Sequence, residues 1–338
     1  MADDTRAMLV ETADRLFADL ASPSAVRAAE DDGLDPALWA ALEAAGFARA
    51  LPASRGGAAL DLADALSLLI PAGRHALPAP FAETIIAHRL LLAAGLDPPD
   101  GPLTVAVSDD LSIHHGRATG RAARVPWARD CAHVVLVGPG DRAALVATTD
   151  AAITPGRNIA GEPRDDLAFV DAPAILTHAP DGRVALRALG AVARAAQMAG
   201  AIEAALALSV AYAQGRVQFG RPIGGFQAIQ HALAVFAGHA AAATAAAQAA
   251  IEAAHDPSAL AIAAAKIRVG EAAGACAAIA HQVHGAMGFT QDYALQRLTR
   301  RLWSWREEYG AEAAWSRELG AAAAAQGADG LWAMITAA

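Results

Sequence analysis

The chemistry-bearing residues of this chain concentrate between Arg216 and Gln227, which read Arg-Val-Gln-Phe-Gly-Arg-Pro-Ile-Gly-Gly-Phe-Gln. Gly220, Pro222, Gly224 and Gly225 stop a helix and allow a tight connection, because glycine takes positive φ freely and proline fixes its own φ. That connection sets Arg216 and Gln218 near the end of one helix and Gln227 at the start of the next. Free backbone N–H groups at a helix start favour an anion, so basic and amide groups converge on a corner suited to phosphate. The bland alternative is a simple turn with a few polar residues.

Two long alanine-rich helices must position that corner. Leu186–Gln214 lacks proline and repeats apolar residues at helical spacing through Leu189, Val192, Ala196, Ala199 and Ile202. The second runs from about Phe226 to His255. Helices over Ser258–His284, Ala294–Arg306 and Ala311–Ala325 complete a C-terminal bundle, with Ser258 placed as an N-cap after Asp256-Pro257. Upstream, β-branched clusters at Leu103–Val107, His133–Val137 and Ala144–Thr148, separated by Gly, Pro and Asp, predict strands. Before them lie helices. Residues 5–20 put Met8, Leu9, Ala13, Leu16, Phe17 and Leu20 on one side, and Asp35-Pro36 opens a helix striped by Leu38, Trp39 and Leu42. Further helices carry Leu66, Leu68 and Leu69, then Ile85, Ile86, Leu90 and Leu91, with Pro78 and Pro80 between. The predicted fold is mostly α with a central β domain: an N-terminal helical domain over 1–97, a shortened middle β domain over 98–180 and a C-terminal helical bundle over 181–338.

The chain has 338 residues, enough for two or three domains, and 55% of them are hydrophobic, much of that alanine. A net charge of −9 without a basic run argues against nucleic acid as a partner. Cys131 and Cys276 suggest no disulfide framework, and Met-Ala-Asp-Asp-Thr-Arg is not a secretory start, so a cytoplasmic protein is expected. The Ala-rich stretch His239–Ile251 is short of a membrane span and reads as a buried bundle helix.

Arg-x-Gln-Phe-Gly-x-Pro-Ile followed by Phe-Gln-x-x-Gln, together with Gln282-Val-His-Gly-Ala-Met-Gly-Phe-Thr290, resembles the C-terminal domain of the FAD-dependent acyl-CoA dehydrogenases. Trp39–Phe47 and Gly120–Trp127 loosely resemble that family's N-terminal and middle domains. The resemblance implies FAD as cofactor and an acyl-CoA as substrate. It also implies that Arg216, Gln218, Phe219, Gln227, Gln282 and Gly285 reach across a subunit interface to a neighbour's flavin. Ala286 departs from the pattern, where the family usually has a second glycine. Two further departures are larger. The family's Thr-Glu-Pro-x-x-Gly-Ser-Asp stretch and its later Trp-Ile-Thr or Trp-Ile-Ser are absent, with only Ser108-Asp109-Asp110 near the expected place.

Acyl-CoA dehydrogenation needs a carboxylate to take the α-proton while the β-hydrogen leaves as hydride. Aligned without gaps from Gly288-Phe289, the family's base position is Tyr309, a poor proton acceptor at a pKa of about 10. Glu307 and Glu308 stand beside it, and a one-residue slip would bring Glu308 into the role; otherwise they are solvated helix-end charges. The family's alternative location, around Leu189 to Ala191, holds no carboxylate. His281 and His284 share a helix face, but no Cys, Asp or Glu completes a metal site, so none is expected. The leading reading is a short subunit of a heteromeric acyl-CoA dehydrogenase, a heterotetramer acting in β-oxidation of fatty acids or steroid side chains. In it, a longer partner supplies the base. The alternatives are a homomeric flavoenzyme using Glu308 or Glu307, and a flavin-free scaffold or binding protein of the same fold.

Overall fold

The structure, a computed structural model, describes residues 2–336. Six helices come first: α1 (Ala2–Leu20), α2 (Pro23–Asp32), α3 (Pro36–Ala44), α4 (Leu62–Ser67), α5 (Leu69–Arg74) and α6 (Phe81–Ala93). Local chemistry sets their starts. Asp35 accepts the Ala37 N–H at 2.8 Å with Pro36 in the first turn, as its sequence predicts. Phe17, Phe47 and Phe81 meet edge to face, with ring centroids 5.8 and 5.5 Å apart, and bury α1 and α6 together. Met8 alone of the expected α1 stripe is largely exposed.

Seven strands follow: β1 (Leu103–Val107), β2 (Ser112–His114), β3 (Arg117–Pro126), β4 (His133–Val137), β5 (Arg142–Ala147), β6 (Ala151–Thr154) and β7 (Arg164–His178). Their order is β1-β4-β5-β7-β3-β2, with β6 also on β7, and β1–β4 is the one parallel pair among the described strands. Val134, Leu136, Val146, Leu167 and Phe169 supply much of the sheet's core. Thr84 of α6 ties helix to sheet, its hydroxyl lying 3.1 Å from both the N–H and the carbonyl of Leu103. The chain groups into two compact units, one of residues up to Leu68 with Leu77–Gly190, the other of Leu69–Ala76 with residues from Ala191 onward. This is coarser than the three segments read from composition.

In the second unit stand α7 (Gly182–Gly215, from Ala191), the hairpin β8 (Val217–Gln218) and β9 (Arg221–Pro222), α8 (Gln227–Glu252), α9 (Leu260–His284), α10 (Leu295–Trp305) and α11 (Glu312–Thr336). Every residue from Ala191 to Ile202 is buried, which makes this stretch of α7 the core helix. The short α5 docks on it at glycines: a Cβ on Gly200 would lie 1.9 Å from the Ile70 carbonyl oxygen, and one on Gly73 equally close to that of Gln197. α8 buries one stripe, Phe236, Ala240, Ala243, Ala247 and Ala250. By length and composition both α7 and α8 are apolar enough to span a membrane, so the expectation of a short stretch fits His239–Ile251 but not the whole of α8.

Two boundaries differ from expectation. Ser258 does not cap α9; Asp256 accepts both its N–H and its hydroxyl, at 2.9 and 2.7 Å, and the helix begins after Ala259. α11 continues to Thr336, with a left-handed break at Gly327.

Candidate functional site

α7 ends at Gly215, one residue beyond the expected Gln214, and the chain then forms a hairpin. Phe219 and Gly220 are its two central residues and both take positive φ, the condition of a mirror-type hairpin turn. Phe219 is 93% exposed as a result. The Arg216 N–H closes on the Tyr212 carbonyl at 2.8 Å, and the Ile223 N–H on that of Arg216 at 2.8 Å, which fixes the hairpin to the helix end. The Arg221 guanidinium lies over Phe226, 4.2 Å from its centroid, and Phe226 precedes α8 without offering a side-chain cap. The Phe226 carbonyl takes the Ile229 N–H at 3.0 Å, and no side chain caps the N–H groups of Gln227 and Ala228 at the helix start.

Arg216, Gln218, Gln227 and Gln282 are all exposed. Arg216 and Gln282 make no side-chain hydrogen bond or ion pair among the described residues. Gln218 reaches only its neighbouring carbonyl of Val217, at 2.7 Å, and Gln227 only His231, at 3.5 Å. These donors remain available to something outside the chain.

The second stretch sits at the end of α9. Gly285 ends the helix with φ +59° and is exposed, while Ala286 does not take positive φ, so alanine there carries no backbone strain. An aromatic cluster joins the two stretches. Tyr212 of α7 stacks on His284 of α9 at 4.5 Å, and His284 lies 5.1 Å from Tyr293. His281 bonds Thr299 at 2.9 Å and stacks on Phe289 at 4.1 Å. Among the described residues no cluster of three His, Cys, Asp or Glu could hold a metal.

The expected base position is closed by internal bonds. Tyr309 is left-handed, with φ +56°, and its carbonyl accepts the Trp315 indole N–H at 3.1 Å. Glu308 is not a solvated charge: its carboxylate pairs with the Arg194 Nε at 2.7 Å, the two side chains only 13% and 3% exposed. Arg194 also donates to Gln197 and lies 5.9 Å from the rings of Trp305 and Tyr309. Glu307 is exposed beside Arg306. Lys266, buried on α9, donates to the carbonyls of Arg306 at 2.6 Å and Gly310 at 2.8 Å, which clamps the turn. In the first unit, Asp110 accepts the Arg121 N–H and Nε at 2.8 and 3.2 Å, and Asp109 pairs with Arg183. The polar groups nearest the missing middle-domain motif are therefore also committed internally.

Residues 184–323 match the acyl-CoA dehydrogenase C-terminal domain. Over 309 residues the chain is 34% identical to acyl-CoA dehydrogenase IpdE2 of Mycobacterium tuberculosis, covering 88% of this chain and 91% of that protein. The chain belongs to the acyl-CoA dehydrogenase family. Among solved structures, a variant of the Tcur3481–Tcur3483 steroid ACAD superposes with a TM-score of 0.86 at 26% identity, covering 95% of this chain and 98% of the other. The ChsE4–ChsE5 complex from Mycobacterium tuberculosis shares the fold with a TM-score of 0.85 at 24% identity, covering 93% and 96%. Acyl-CoA dehydrogenases are FAD-dependent flavoproteins. Arg216, Gln218 and Gln227, exposed around a helix N-terminus that has no side-chain cap, fit the anionic part of that cofactor.

Sequence reading singled out the exposed donors but not the groups that hold them. Tyr212 and Tyr293 carry no local signal of a shared partner, and Arg194 reads as one more charge in an apolar helix. Burial pulls the Lys266 ammonium down to about 8 from 10.5, against the pull of Glu312, Glu308 and Glu307. The unfolded chain therefore binds this proton more tightly, so folding is penalised below about pH 8 and the penalty is relieved as pH rises from about 8 to 10.5. Urea unfolding of wild type and Lys266→Met across that window should show wild-type stability rising relative to the variant.

Proposed function

We propose that this chain is the short subunit of a heteromeric acyl-CoA dehydrogenase that acts on a bulky, steroid-type acyl-CoA. In this reading it completes the FAD site of a longer partner, which supplies the catalytic base. The observation that carries the proposal is the contrast between two regions of the second unit. The donors that would face a neighbour's cofactor are exposed and bonded internally at most to a sequence neighbour or to a residue one helical turn away, while Glu308, the carboxylate beside the base position, is locked to Arg194. Arg216 and the amides of Gln218, Gln227 and Gln282 would hold the pyrophosphate and adenylate side of FAD, with Phe219 and Gly285 against its flanks. FAD, when bound, supplies the acceptor for the β-hydrogen. The relatives support the same reading: IpdE2 is an acyl-CoA dehydrogenase and Tcur3481–Tcur3483 a steroid ACAD.

The expected result is a colourless chain when purified alone and roughly one flavin per pair of chains when co-purified with the longer dehydrogenase. Arg216→Ala should lower that flavin content by about tenfold under dilution, since a charge-assisted phosphate contact contributes about 1.5–3 kcal/mol. Unchanged flavin content and turnover would sink the proposal. The homomeric alternative predicts turnover by this chain alone, abolished in Glu308→Gln with flavin still bound. The Arg194 pairing of Glu308 weighs against it.

A further inference from the structure

We propose that His284 is a positioning residue that holds the two flavin-facing stretches in register, with Tyr212 and Tyr293 as its arms. The inference rests on the proposed cofactor role of those stretches. His284 lies one residue before Gly285 and two after Gln282, and is only 2% exposed. Its Nδ1 is 2.8 Å from the Ala280 carbonyl, which can only accept, so Nδ1 carries the proton. Nε2 then accepts the Tyr293 hydroxyl at 3.1 Å. Burial lowers the histidine's pKa, and the Ala280 and Leu208 carbonyls oppose that only in part. The ring is thus a neutral linker with one donor and one acceptor, both used.

Each contact points toward one of the two stretches. Tyr212, stacked on the imidazole at 4.5 Å with planes 30° apart, carries the carbonyl that closes on Arg216. Tyr293 follows the Gly285–Thr290 turn, its N–H bonded to the Thr290 carbonyl at 3.2 Å. Gly288, inside that turn, passes so near that a Cβ there would lie 3.1 Å from the Cβ of His284. One buried histidine therefore meets Tyr212 in the last turn of α7, Gly288 inside the glycine turn after α9, and Tyr293 just beyond that turn. Apolar packing alone would not use both nitrogens. The arrangement sets the spacing between Arg216 and Gln282, as supporting residues do for a preorganised site.

The test uses the full-length chain co-purified with the longer dehydrogenase, stripped of flavin and titrated with FAD. His284→Ala and Tyr212→Ala should weaken FAD binding about tenfold, while Tyr212→Phe, which keeps the stack, should stay within about twofold. Tyr293→Phe removes a single hydroxyl while keeping the ring's packing, and should give a loss of about threefold. Hydrogen exchange on the chain without flavin supplies a second readout, with amides at 216–220 and 285–289 exchanging faster in His284→Ala. Phe236→Leu, a buried core change on α8 outside both stretches, serves as the control for general destabilisation. Wild-type FAD affinity in His284→Ala beside weakened binding in Arg216→Ala would overturn the positioning role and leave the cofactor reading intact. An equal loss in Phe236→Leu at matched stability would also overturn it. If Arg216→Ala binds FAD normally, the cofactor reading fails, and unaltered exchange at both stretches would then overturn the coupling by itself.

Discussion

Arg194→Met should lower the free energy of unfolding by about 3–5 kcal/mol, measured by urea denaturation of the full chain, because it leaves the Glu308 carboxylate buried without its guanidinium. The pair sits at 2.7 Å with both side chains nearly out of water, so solvent screening does little to soften the loss. Removing both charges is a different experiment. Arg194→Met combined with Glu308→Leu should recover most of the stability, since replacing a buried ion pair by apolar groups is often neutral. A double variant no more stable than Arg194→Met would show that Gln197 and the aromatic rings, not the carboxylate, account for the effect. The same pair of variants bears on function. If the partner supplies the base, turnover per folded complex should survive the loss of Glu308.

Gly200→Ala should destabilise the chain by about 3 kcal/mol or more, with thermal unfolding as the measurement. The sign needs deciding, because alanine in a helix interior is ordinarily better than glycine by about 0.5–1 kcal/mol. Here the added methyl meets the Ile70 carbonyl oxygen at 1.9 Å and the Arg74 N–H nitrogen at 2.8 Å. Both are backbone atoms of α5, so no side chain can swing aside and the short helix must lift. Sterics win over propensity at this position. Gly320→Ala on α11, where nothing lies within 4 Å of the new methyl, should instead stabilise by about 0.5–1 kcal/mol. A stabilising Gly200→Ala would mean that α5 does not dock on α7 as described.

The exposed donors around the hairpin and the base region show opposite relations between sequence and structure. Arg216, Gln218 and Gln227 were legible because glycine and proline act on the backbone within a few residues, and an exposed corner needs no distant partner to form. Ala286 was legible as a departure, but its harmlessness depends on a φ that only the folded turn reveals. Glu308 read as a solvated end charge because nothing near it in sequence announces Arg194, which lies on a different helix.

The sequence by itself determined the long helices and the strands β1, β4 and β5, through apolar periodicity, β-branched clusters and residues such as Asp35, and it determined which stretch carries the exposed arginine and amide donors, while β2, β3, β6 and β7 carried no such local signal. Those properties are local, set by backbone preference and by the solvation of nearby side chains. The tertiary structure alone decided that Gly73 and Gly200 let α5 meet α7, that Arg194 claims Glu308, and that Tyr212 finds His284. Each of these joins residues far apart in sequence, and their meeting depends on how close-packed helices cross, a property that no single segment carries.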